Sequence, residues 1–182
     1  MSRIGKKPIE IPSDVEVKIN NEVVSAKGPK GELSLKFHPD VVVEKKENEI
    51  IVSIKDENNV DQRALWGLFS RLINNMIIGV KKGYEKKMEV VGVGFRVALQ
   101  GNKLVLNLGL SHQVEFVLPA GIKAELDKNV VILSGIDKQL VGETAARLRR
   151  IRKPDVYKGK GIKYVDEVIK KKPGKAAAKA AA

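Results

Sequence analysis

Between Lys153 and Tyr164 the chain reads Lys-Pro-Asp-Val-Tyr-Lys-Gly-Lys-Gly-Ile-Lys-Tyr, alternating cations, glycines and phenol rings. Lysine and arginine neutralise phosphates, arginine also stacks on bases, tyrosine offers a flat face to an unpaired base, and glycine lets a backbone approach a sugar-phosphate chain closely. Upstream stand Arg147, Arg149, Arg150 and Arg152. From Arg147 to Lys179 there are 13 Lys/Arg against 3 Asp/Glu, a net of +10, whereas residues 1–146 hold 21 against 19, leaving +2 of the total +12. A charge run is often only a solvated tail, but one this dense repels itself and calls for a polyanion with exposed bases. The candidate contact residues are Arg147, Arg149, Arg150, Arg152, Lys153, Pro154, Asp155, Tyr157, Lys158, Gly159, Lys160, Gly161 and Lys163. Asp155, a lone carboxylate among cations, reads as a turn cap or a lysine anchor.

Other chemistries find few residues to use. With no cysteine there is no disulfide framework, thiolate metal site or cysteine nucleophile, as suits a reducing cytoplasm. His38 and His112, without a closely spaced acidic cluster, give no metal site. Ser111 beside His112 lacks a nucleophile elbow, and Gly92-Val93-Gly94 lacks the third glycine and following helix of a dinucleotide fingerprint, fitting a long strand with a bulge better. Neither a catalytic residue nor a cofactor or small-molecule substrate is expected. The longest apolar run, Ile73 to Val80, is interrupted by Asn74, Asn75 and Gly79, so no membrane partner is expected either, and the basic start reads as a retained tail.

The elements that must position the cationic segment come from a duplication. A shift of 73 sets Val15-Glu16-Val17 on Met88-Glu89-Val90, Gly28 on Gly101 and Leu35 on Leu108; a shift of 80 then sets Pro39 on Pro119, Ile50-Ile51 on Val130-Val131 and Leu68 on Leu148. The second copy is thus 7 residues longer between Leu108 and Pro119. Each copy reads as short alternating strands followed by one helix, an α+β fold of two tandem domains, each an antiparallel β-sheet packed with one α-helix. In the first, strands flank an Asn20-Asn21 turn; in the second, one long strand from Met88 to Leu99 meets Lys103–Leu108. The first helix is expected from about Asn59 to Ile78, with Leu65, Leu68, Phe69, Leu72, Ile73, Met76 and Ile77 as its stripe, Asn59 and Gln62 as a capping box and Gly79 as its stop; Trp66 sits at the stripe's margin. The second begins near Asp137, buries Val141, Ala145, Leu148 and Ile151, and ends before Pro154. The expected domains are 1–82 and 83–153, with residues 154–182 a basic extension ending in a low-complexity Ala/Lys tail. An RNA-binding protein fits best, while an RNA-modifying enzyme with a basic arm and a DNA-packing protein are alternatives.

Ser2-Arg3-Ile4-Gly5-Lys6-Lys7-Pro8-Ile9, Leu72-Ile73-Asn74-Asn75-Met76 before Gly79-Val80, Val91-Gly92-Val93-Gly94-Phe95-Arg96, and Pro154 to Ile162 together resemble the bacterial large-subunit ribosomal protein six family, over the chain as far as about Lys172. The family pattern has tyrosine at Leu110, proline at Gln113 and histidine at Trp66, where this chain departs. The resemblance implies a non-enzymatic constituent of the cytoplasmic ribosome, bound to 23S rRNA through its second domain and C-terminal extension. It places the protein near the stalk base and the factor-binding region, with neighbouring large-subunit proteins as further partners.

Overall fold

A computed structural model describes residues 5–20, 22–56 and 58–174. Asn21 of the expected turn and the tail from Lys175 lie outside the described residues. Two compact units divide the chain: one runs to Tyr84 and takes in Ile136–Lys138, the other comprises Glu85–Gly135 and the residues from Gln139 onward.

In the first unit, β1 (Ile9–Glu10), β6 (Glu49–Ile54) and β5 (Val41–Lys46) form one antiparallel sheet in that order, and β2 (Glu16–Asn20), β3 (Val23–Gly28) and β4 (Gly31–Lys36) form another. Asn20 is the last residue of β2, opposite Val23, and not a turn residue. Alternation turns Val17, Val24, Ala26, Ile50 and Val52 inward, where they meet Trp66, Phe69, Ile73, Met76, Ile77 and Val80 of α1 (Val60–Lys81). Each fully buried aliphatic side chain contributes roughly 1.5–3 kcal/mol through removal from water.

Three features of α1 differ from the sequence expectation. The buried stripe is rotated: Leu68 is exposed, while Trp66 is buried and its indole N–H donates to the Val52 carbonyl at 2.6 Å. Burying an indole needs such an acceptor, which sequence periodicity does not show. Asn59 does cap the helix, accepting from the Asp61 N–H at 2.9 Å, but Gln62 reaches past it to accept from the Asp56 N–H at 2.8 Å. Gly79 lies inside the helix; a Cβ there would collide with the Ile136 carbonyl oxygen, and the chain turns off instead at Gly83, with φ +75°.

The second unit repeats the plan with changed partners. Its strands are β7 (Tyr84–Val91), β8 (Arg96–Gln100), β9 (Lys103–Asn107), β10 (Val114–Val117), β11 (Ile122–Asp127) and β12 (Val130–Gly135), followed by α2 (Lys138–Ile151) and β13 (Gly161–Tyr164). They form two antiparallel sheets, ordered β10-β9-β8 and β11-β12-β7-β13. The expected long strand is broken at Gly92–Phe95, where the Phe95 N–H donates to the Gly92 carbonyl at 3.3 Å, and its halves join different sheets. The dyad alternation continues poorly across two glycines, so the chain changes direction there. Met88, Leu104, Leu106, Leu133 and Leu148 are fully buried, and α2 also buries Val141, Thr144 and Ala145; Ile151 is only half-buried. The Thr144 hydroxyl donates to the Leu140 carbonyl at 2.7 Å, so its burial leaves no polar atom unpaired.

The segment read as an extension does not simply leave the domain. Gly161–Tyr164 is the outer strand of the second unit's larger sheet, antiparallel to β7 with Ile162 opposite Val90, and Ile162 is completely buried. Four residues, with Lys158 and Lys160 just before them and Lys163 among them, carry too short a pattern to announce a strand by themselves.

Candidate nucleic-acid interface

The candidate segment begins where α2 ends. Pro154 restricts Lys153 to extended backbone, and from Arg152 the chain closes into a compact loop. The Ile162 N–H donates to the Arg152 carbonyl at 2.8 Å, the Asp155 N–H to the Lys160 carbonyl at 2.9 Å, and the Gly159 N–H to the Asp155 carbonyl at 2.9 Å. The Asp155 carboxylate accepts from the Lys158 N–H at 3.0 Å, and backbone N–H groups of Lys158, Tyr157 and Val156, with the Lys158 charge, hold its pKa below the ordinary carboxylate range. Asp155 therefore caps the loop, as its isolation among cations led one to expect.

The two glycines serve the loop's own packing. Gly161 has φ +148°, and a Cβ there would stand 2.6 Å from the Lys153 carbonyl oxygen; Gly159 has φ +72°, and both are buried. Their surroundings are the protein's own chain, so neither presents its backbone openly to a ligand. The chain then passes the loop a second time: the Lys172 N–H donates to the Val156 carbonyl at 2.9 Å. That return brings Lys171 and Lys172 to the loop, two exposed cations absent from the sequence-derived set, whose only signal was the Lys170-Lys171-Lys172 run.

The expected cations divide into two groups. Arg150, Arg152, Lys153 and Lys158 are exposed and Lys160 is half-exposed, and none of the five has a carboxylate partner among the described residues. Tyr157 stands 57% exposed beside them. Arg147, Arg149 and Lys163 are paired. Arg147 bonds Glu143 one helical turn back, an exposed pair that contributes little to stability. Lys163 meets Glu89 at 2.9 Å across β13 and β7. Arg149 is held most firmly: its Nε donates to Glu167 Oε2 at 2.9 Å and its Nη2 to Glu167 Oε1, with only 28% and 24% of the two side chains exposed. The hydrogen bond from Arg149, ahead of its charge, draws the Glu167 pKa down, and the same bond draws the Arg149 pKa up. Tyr164 is half-buried, with Lys86 Nζ 5.7 Å from its ring centroid.

Elsewhere, Ser111 and His112 are exposed on a bend. Among the described residues no group of three or more His, Cys, Asp or Glu is placed to hold a metal ion, and no helix is long and apolar enough to cross a membrane.

A duplicated α+β scaffold presenting a closed cationic loop beside an exposed tyrosine is the architecture of a protein that binds polyanions. The family model described as Ribosomal protein L6 matches residues 11–83 and again 91–165, one match for each copy. Proteins named large ribosomal subunit protein uL6 are similar to it along nearly their whole length. That of Caldicellulosiruptor saccharolyticus is 54% identical over 177 residues, covering 97% of each chain. That of Desulforapulum autotrophicum is 54% identical over 180 residues, 98% of this chain and 100% of the relative, and that of a Synechococcus species 50% over 176 residues, 96% and 97%. The chain belongs to the ribosomal protein L6 family, whose members are structural proteins of the ribosome and not enzymes.

Proposed function

We propose that this protein is a constituent of the large subunit of cytoplasmic ribosomes, where its second unit binds 23S rRNA near the stalk base and the factor-binding region. The observation that carries this reading is the gathering onto one closed loop of cations with no carboxylate partner among the described residues: Arg152, Lys153, Lys158 and Lys160, with Arg150 on the last turn of α2 and Tyr157 exposed among them. The cations take phosphates and release counterions, and the ring takes a base or a ribose hydroxyl. Arg147 adds charge at the rim by exchanging the exposed Glu143 carboxylate for phosphate, and Lys163 adds its charge from its half-buried pair with Glu89. The near-neutral charge of the first unit suits it to face solvent or neighbouring large-subunit proteins.

The test is a filter-binding titration of the full chain on a 23S rRNA fragment at several salt concentrations, comparing wild type with Lys158→Ala/Lys160→Ala. The double variant is expected to bind more weakly and to flatten the slope of log K against log salt by up to about one unit for each lost phosphate contact. Unchanged affinity and slope would remove the loop from the interface. Point variants are needed, because a truncation before the loop also takes the buried Ile162 from the core.

A further inference from the structure

We infer that Arg149 and Glu167 are positioning residues, which clamp the end of β13 to α2 so that the cationic loop meets RNA already folded; Arg149 is not itself a phosphate contact. The inference rests on the binding reading above and assigns within it a role that composition does not show, since Arg149 looks like one cation among many.

The geometry is specific to a clamp. Arg149 leaves the last turns of α2 and grips Glu167 with Nε and Nη2, a planar fork on a carboxylate. Glu167 Oε2 also accepts from the Tyr164 N–H at 3.3 Å, and the Glu167 N–H donates to the Tyr164 carbonyl at 3.0 Å, so the same residue closes the turn that follows β13. The Val165 N–H donates to the Lys87 carbonyl at 3.2 Å on the other side. One carboxylate thus ties helix, strand end and turn together, with three-quarters of the pair out of water. The Nε–H and one Nη2–H are committed to Glu167, and turning the guanidinium away to a phosphate would strand a partly buried carboxylate. Arg150, its neighbour in sequence, is exposed and has no carboxylate partner among the described residues, and so is the residue of the two that is placed to bind. A loop held in place before binding loses less conformational freedom on association, and that is the clamp's contribution to affinity.

The experiment uses the full chain in three variants: Glu167→Gln, Arg149→Lys and Arg149→Ala. Two readouts are taken, amide exchange of the free protein at Tyr164 and Val165, and the salt-dependent rRNA titration, with the Val131 and Leu133 amides as a check that the sheet is folded. Glu167→Gln raises the positive charge of the protein, and Arg149→Lys leaves it unchanged, so plain electrostatics expects tighter and equal binding respectively. The clamp expects both to bind about tenfold more weakly at every salt concentration, with an unaltered slope and faster exchange at Tyr164 and Val165. Two results would overturn it: Arg149→Ala flattening the slope by about one unit while Arg149→Lys binds like wild type, which makes Arg149 a phosphate contact; or faster exchange with no loss of affinity, which leaves the pair a structural tie alone. Insensitivity of binding to Lys158→Ala/Lys160→Ala, measured in the same titration, would instead strike the loop's role, so the two failures are told apart.

Discussion

The same stretch of the repeat does opposite work in the two copies. In the first, α1 runs 22 residues to Lys81; in the second, α2 stops after 14, at Ile151. With the copies offset by 80, the last turns of α1 correspond to the cationic loop: Leu72 to Arg152, Ile73 to Lys153, Asn74 to Pro154, Met76 to Val156 and Val80 to Lys160. Where the first copy has a buried apolar stripe, the second has cations around a proline. Apolar spacing keeps a helix on its sheets; removing it and adding Pro154 ends the helix and frees the backbone to close on itself. The second copy then replaces the lost cover with β13, whose Ile162 occupies the core. The cationic loop thus stands at the place where the first copy has the last turns of a helix.

The 7 additional residues teach a related lesson. They fall within Leu108–Pro119 and supply β10, which pairs with β9, whereas in the first unit the corresponding strand β4 is an edge and the third place in the sheet is taken by β2 beside β3. The counterpart of Val15–Val17, Met88–Val90, lies in β7 of the other sheet. Strand patterns survive duplication, while strand partners are renegotiated.

The comparison breaks most sharply at Ile162. Ile162→Ala should destabilise the second unit by about 2–5 kcal/mol, since a fully buried side chain is lost, and leave amide exchange in α1 unchanged. Equal loss in both units, followed by residue-resolved exchange in denaturant, would mean that the copies fold as one. In the first unit, Trp66→Phe takes away the indole N–H that the Val52 carbonyl accepts from and leaves a smaller ring in a buried site; a cost of at least about 1–3 kcal/mol in chemical denaturation is expected. A neutral outcome would show that water reaches that oxygen. Asn59→Ala should cost roughly 1 kcal/mol and speed exchange at the Asp61 amide, through loss of the cap.

Acid should distinguish the units by a smaller margin. Asp155 and Glu167 both have pKa values depressed by the fold, so each contributes stability above the ordinary carboxylate range and loses it as pH falls through the depressed folded value. Exchange at Lys158 and Tyr164, whose N–H groups donate to these carboxylates, should therefore accelerate on acidification before exchange in the core of α1 does. Simultaneous acceleration would show that neither carboxylate holds the cationic segment.

Sequence alone determined the periodic and compositional features. The duplication, α+β class, both helices, the Asn59 cap and the concentration of charge after Arg147 follow from repeated patterns of residues close together in the chain, where local geometry decides the outcome. Tertiary structure alone decided which faces and charges were already occupied. Arg149 and Glu167 are separated by 18 positions and meet only because β13 returns to the sheet; Trp66 is buried because Val52 offers an acceptor; Gly79 is needed because Ile136 approaches its helix. A cation's availability for RNA depends on which carboxylate the folded chain brings to it, and that is a property of contacts between distant residues which no local pattern encodes.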